Sequence, residues 1–76
     1  MAEFDEQVDA TGLNCPMPIL RAKKALNGLH TGQRLQVIAT DPGSVRDFEA
    51  FARQTGHALE QSAEDNGTFR FLIRKA

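Results

Sequence analysis

Apolar residues along this chain recur at two periods, and the switches between them mark six elements. From Phe4 to Ala10 the period is two: Val8 and Ala10 fall on one side, Asp5, Gln7 and Asp9 on the other. That alternation is the mark of a half-buried strand. Its low apolar content and its charges suit a sheet edge, where charge discourages unwanted pairing. Thr11-Gly12 breaks the strand. Ile19, Ala22, Leu26 and Leu29 then recur at helical spacing, flanked by Leu20 and Lys23, until Gly28 to Gly32 ends the run. Arg34 to Ala39 returns to alternation, with Leu35, Val37 and Ala39 on one face. A second helical stripe follows in Val45, Phe48, Phe51 and Ala52, with Gly56 as its stop. His57 to Ala63 is a weaker strand. Asp65-Asn66-Gly67 is a hairpin signal. Thr68 to Arg74 closes the pattern, with Phe69, Phe71 and Ile73 facing inward.

The predicted order is β-α-β-α-β-β. Strand-helix-strand units cross over right-handed between parallel strands. If both crossovers advance in one direction, both helices cover the same face of the sheet. The expected fold is therefore an α/β (α+β) two-layer sandwich, with one bare sheet face carrying Gln36, Ile38, Arg70, Leu72 and Arg74. Ile38 and Leu72 are expected to form a small exposed apolar spot there.

Two details of the helix starts follow from proline chemistry. Proline disfavours the helical region for its predecessor, so Cys15 and Met17 are expected to be extended, with Pro18 as the first helical residue. For the second helix, Asp41 caps with Pro42 at the first position, or Ser44 caps with Asp47 three residues later.

Size and charge narrow the classes. The 76 residues make one domain spanning 1–76, with residues 1–4 a loose tail. A domain of this size buries roughly 60% of its unfolded surface, too little for a deep enclosed substrate cavity. A net charge of −1 gives no global field for nucleic acid, so no direct nucleic-acid binding is expected. No apolar run is long enough to span a membrane. The acidic start, Met1 to Glu6, lacks the layout of a signal peptide. The single cysteine forms no internal disulfide and argues for a reducing compartment, the cytoplasm.

That cysteine is the clearest pointer to chemistry. Cys15 sits in Asn14-Cys15-Pro16-Met17-Pro18, directly ahead of the first helix. Unpaired N–H groups at a helix start favour an anion, so the thiol is expected to have a lowered pKa. The prolines present the sulfur at a fixed angle. No second cysteine can resolve an oxidised or sulfur-loaded state, which disfavours a thioredoxin-like reductase.

Asp9-x-x-Gly12-Leu13-x-Cys15-Pro16-x-Pro18, then Asp41-Pro42, Asp47 and Gly56, resembles the TusA/SirA/YeeD family of small sulfur carrier proteins, over nearly the whole chain from about Asp5. The resemblance implies a four-stranded mixed sheet in order 1-2-4-3, similar to the C-terminal domain of bacterial translation initiation factor three. It also implies that Cys15 carries sulfur as a transient persulfide, with no other cofactor. The implied donor is a cysteine desulfurase or a rhodanese-like protein, and the implied acceptor is DsrE-like. Implied fates are tRNA 2-thiouridine synthesis, molybdenum-cofactor supply and dissimilatory sulfur oxidation.

Other residues are assigned around this centre. Asp9, Gly12, Pro16 and Pro18 support the motif and its loop, with Asp9 bracing the Thr11–Cys15 segment. Arg21, Lys23 and Lys24 are candidates for docking an acidic partner surface, although such residues are most often a solvated helix face. Asp41 and Asp47 read as helix-start residues, not acid/base catalysts. His30 and His57 are isolated from Cys15, so no metal is expected. The phenylalanines read as core. The competing reading is a non-catalytic interaction module in which Cys15 is a redox or regulatory handle.

Overall fold

The computed structural model describes residues 4–76. The expected tail at 1–4 therefore lies outside the described residues except for Phe4, which is half-buried. The elements run β1 (Glu6–Ala10), α1 (Met17–Asn27), β2 (Arg34–Ala39), α2 (Ser44–Thr55), β3 (Ala58–Asp65) and β4 (Thr68–Arg74). The sheet order is β1-β2-β4-β3. β1 pairs parallel with β2, while β4 pairs antiparallel with both β2 and β3. This is the expected two-layer arrangement.

One core lies between the layers. Leu35, Val37 and Ala39 of β2 meet Phe69, Phe71 and Ile73 of β4, and the helices cover them with Ala22, Leu26, Phe48 and Phe51. The inward residues of β2 and β4 and the apolar stripe residues of both helices, Ala52 excepted, share this cluster, so both helices sit on one sheet face. Phe48 is its centre: fully buried, stacked on Phe71 at 4.6 Å and edge-on to Phe51 at 6.3 Å. Aromatic pairs favour these offset and edge-to-face arrangements.

The β3–β4 turn is built as its sequence asks. Asn66 and Gly67 both take positive φ, at 51° and 82°, which the tight hairpin turn requires. Gly56 closes α2 at φ 82°, the left-handed conformation that ends helices at low steric cost.

The bare face differs from expectation. Leu72 is only 7% exposed. It lies on the interior strand β4, with Gln36 of β2 on one side and Gln61 of β3 on the other. A bulge at Leu59/Gln61 leaves Glu60 unpaired in register, and its carboxylate reaches Arg34 at 2.9 Å and Arg74 at 3.6 Å. Ile38 is half-buried. The expected exposed apolar spot is therefore absent at Leu72 and reduced to half-buried Ile38.

Both helix starts also differ. α1 begins at Met17, with Pro16 at the N-cap and a cis Cys15–Pro16 bond. Pro18 is the second helical residue, and Met17 before it is helical, not extended. The turn closes early because the Met17 amide donates to the Asn14 carbonyl at 2.8 Å and the Leu20 amide to the Pro16 carbonyl at 3.1 Å. At the second position proline's missing N–H still costs no helical bond. α2 begins at Ser44, after Gly43 and without a side-chain cap. Pro42 precedes the helix, and Ser44 is buried inside its first turn with its hydroxyl unpaired. The Ser44–Asp47 box does not form, whereas Asp41 does accept the Gly43 amide at 3.2 Å, in the turn just ahead of the helix.

Candidate functional site

Parallel pairing decides where the site lies. Ala10 at the end of β1 is opposite Ala39 at the end of β2, so the loops that follow leave the same edge of the sheet side by side. Each then enters a helix. Their facing residues form the site.

The first loop is fixed from both sides. Asp9 Oδ1 accepts the Thr11 amide at 3.0 Å and the Thr11 hydroxyl at 2.7 Å, an Asx-type turn. These two hydrogen bonds hold its carboxyl below the usual carboxylate range, with Arg21 adding a smaller attraction against a small opposing effect of burial. Gly12 turns the chain at φ 78°, and its amide donates across to Thr40 Oγ1 at 2.8 Å. Cys15 follows, exposed to solvent, and its own amide donates to Asp41 Oδ2 at 2.9 Å. Asp41 also accepts the Gly43 amide on Oδ1 at 3.2 Å. One carboxylate thus ties the cysteine loop to the start of α2.

The electrostatics reverse the sequence expectation. The Cys15 thiol is raised above its ordinary value, first because Asp47 accepts its hydrogen, then through burial, then through the negative charges of Asp47 and Asp41. The helix start offers little to set against this. Pro16 and Pro18 have no N–H. The Met17 amide is taken by Asn14 and the Cys15 amide by Asp41. The amides at positions 15 to 18 are thus absent or already paired, which weakens the N-terminal stabilisation of an anion.

Cys15, Asp41 and Asp47 line one open groove together with Val45, Arg46 and Glu49. A second groove runs between β1 and α1 and contains Glu6, Asp9, Met17, Leu20, Arg21 and Lys24. Met17 and Leu20 are 42% and 50% exposed. Of the basic trio, Arg21 and Lys24 line this second groove, while Lys23 is exposed and lines neither. Asp41 and Asp47 are thus brought to the sulfur, a placement their reading as helix-start residues did not contain. The available signal was topological: neighbouring parallel strands deliver their following loops to one edge. Among the described residues, no group of His, Cys, Asp or Glu could hold a metal ion.

The arrangement is a small carrier-type domain: a rigid two-layer scaffold, no enclosed pocket at the thiol, and one nucleophile displayed on a fixed loop. The chain matches the family described as Sulfurtransferase TusA over residues 6–75. It is 64% identical over 76 residues to the sulfur carrier protein TusA of Allochromatium vinosum, covering 100% of both chains. It is 54% identical over 69 residues to a putative sulfur carrier protein of Neisseria meningitidis, covering 91% of this chain and 93% of that one. A SirA-like protein of Desulfitobacterium hafniense, known from its crystal structure, superimposes with a TM-score of 0.82 at 30% identity, over 92% of this chain and 96% of that one. The chain belongs to the TusA family of sulfur carriers.

Proposed function

We propose that this protein carries sulfane sulfur as a persulfide on Cys15 and passes it between protein partners. The observation that supports this most is the exposure of the chain's single thiol on a braced loop. Loading is a displacement. The Cys15 thiolate attacks the outer sulfur of a donor persulfide R–S–SH, the donor's S–S bond breaks, and the donor leaves as R–S⁻ while Cys15–S–SH forms. Atoms and charge balance, and no external oxidant is needed because the transferred sulfur arrives already oxidised. Delivery is the same step with the roles exchanged.

The donor is a cysteine desulfurase or a rhodanese-like protein, and the acceptor is DsrE-like. The sulfur then serves tRNA thiolation, molybdenum-cofactor supply or sulfur oxidation. Arg21 and Lys24 stand beside exposed Met17 and Leu20, a combination that suits a partner surface with carboxylates around an apolar centre. The proposed location is the cytoplasm. Among the described residues no helix is long and apolar enough to cross a membrane.

The test is incubation with a cysteine desulfurase and cysteine, followed by intact-protein mass spectrometry. The wild type should gain sulfur mass that a reductant removes, and Cys15→Ser should gain none. A wild type that stays unloaded, or a Cys15→Ser protein that loads equally, overturns the proposal.

A further inference from the structure

The groove around Cys15 is charged in a way that sulfur transfer alone does not require. Asp41 reaches it from the loop after β2, and Asp47 and Glu49 from the first turns of α2. Arg46 is the one basic residue lining it. From α1, Arg21 and Lys24 face the other groove, with Glu6 and Asp9. The Cys15 amide, which would otherwise favour an anion beside it, is bonded to Asp41 at 2.9 Å. The sulfur therefore emerges among carboxylates, with its nearest backbone donor already used.

We propose that Asp47, with Asp41 behind it, is a positioning residue that keeps the unloaded Cys15 protonated and opposes the ionisation of the loaded persulfide less. This rests on the reading of Cys15 as the sulfur-bearing residue. A carboxylate beside a thiol opposes its ionisation and accepts its hydrogen. In the persulfide, the reacting sulfur stands one S–S bond, about 2 Å, further out. There it is nearer solvent, and the carboxylate field is weaker. A persulfide is also intrinsically more acidic than a thiol. The same two side chains thus act strongly on the ionisation of the empty thiol and weakly on that of the persulfide. The empty thiol is guarded against stray electrophiles and oxidants, whose attack requires thiolate, and loading draws on the same minor thiolate fraction.

The rate of alkylation by iodoacetamide, followed across a pH series, reports the thiolate fraction. Asp47→Asn should move the midpoint to lower pH and speed alkylation at neutral pH by roughly 2- to 10-fold, the change that a fall of up to one pKa unit produces. Asp41→Asn should act in the same direction but less, since an asparagine oxygen still accepts the Cys15 amide. Glu64→Gln, on exposed β3, should leave the profile unchanged. Circular dichroism shows whether each variant is folded. A folded Asp47→Asn protein with the wild-type profile overturns the proposal. Loading each protein with polysulfide and repeating the measurement tests the second half. The ratio of Asp47→Asn to wild-type rates should fall toward one in the loaded state, and an unchanged ratio overturns that half. A protein whose empty profile shifts as expected but which accepts no sulfur overturns the carrier reading instead, so the two failures are distinct.

Discussion

The two strand-to-helix crossings of this protein start from similar sequences and end with different tasks. The first runs Asp9 to Pro18 and the second Thr40 to Ser44. Each contains an aspartate, a glycine and proline, and each leads from a parallel strand into a helix of the same layer. The first carries the nucleophile. The second, with the first turn of α2, carries the groups that hold and tune it: Thr40 accepts the Gly12 amide, Asp41 accepts the Cys15 amide, and Asp47 lines the groove that holds the thiol. Neither crossing is a site by itself. A reactive side chain on a short loop needs a second loop, in register with the first, to fix its angle and its charge.

Three measurements probe this division of labour. The largest effect is expected where α2 is anchored. Phe48 is fully buried against Phe71 and Phe51, and Phe48→Ala should cost about 3–5 kcal/mol by urea unfolding, as aromatic truncation in a core does. A loss under about 1 kcal/mol, in the range of surface changes, would mean that α2 is anchored elsewhere. The next effect separates the two glycines. A Cβ on Gly12 meets nothing within 4 Å, but φ is +78°, so Gly12→Ala should cost about 1–2 kcal/mol from backbone conformation alone. At Gly43 φ is −70° and a Cβ would make ordinary contact with Asp41 at 3.7 Å. Gly43→Ala should therefore change stability by less than about 0.5 kcal/mol. Equal costs at the two positions would erase the asymmetry between the crossings.

The smallest effect lies at the far end of α2. His57 follows its closing glycine, lies near the Phe51 ring at 5.8 Å, and accepts the Ala76 amide on Nδ1 at 3.0 Å. Burial, then the charge of Lys75, pushes its pKa down from the ordinary 6.5. The folded state thus favours the neutral ring. Its contribution is full above pH 6.5 and is lost as pH falls through the lower folded value. Urea midpoints should therefore decline on mild acidification, and less so in His57→Gln. An NMR titration that places the His57 pKa at or above 6.5 would reverse the sign. The two ends of α2 then contrast: one favours a protonated thiol, the other a deprotonated imidazole.

Much of this was readable along the chain. β2 and β4 have the bounds that alternation gives, and both glycine stops and the Asn66-Gly67 turn fall where their residues require. Those features depend on neighbours a few residues apart, so periodicity and turn chemistry determine them. The position of Cys15 ahead of a helix was equally plain. Its pKa direction was not, because the opposing carboxylates lie 26 positions and more away in sequence. Leu72 lies on the expected face, but its burial was not legible for a related reason: its register neighbours, Gln36 and Gln61, come from other strands, and the Glu60 bulge sets which residue stands opposite it.

By itself, then, the sequence determined the element order, the inward faces, the single exposed-loop thiol and the family. Only the tertiary structure decided the charge around that thiol. Electrostatic environment depends on distance through space, and parallel strand pairing brings Asp41 and Asp47 to Cys15 while the prolines, Asn14 and Asp41 take the amides of positions 15 to 18 out of play.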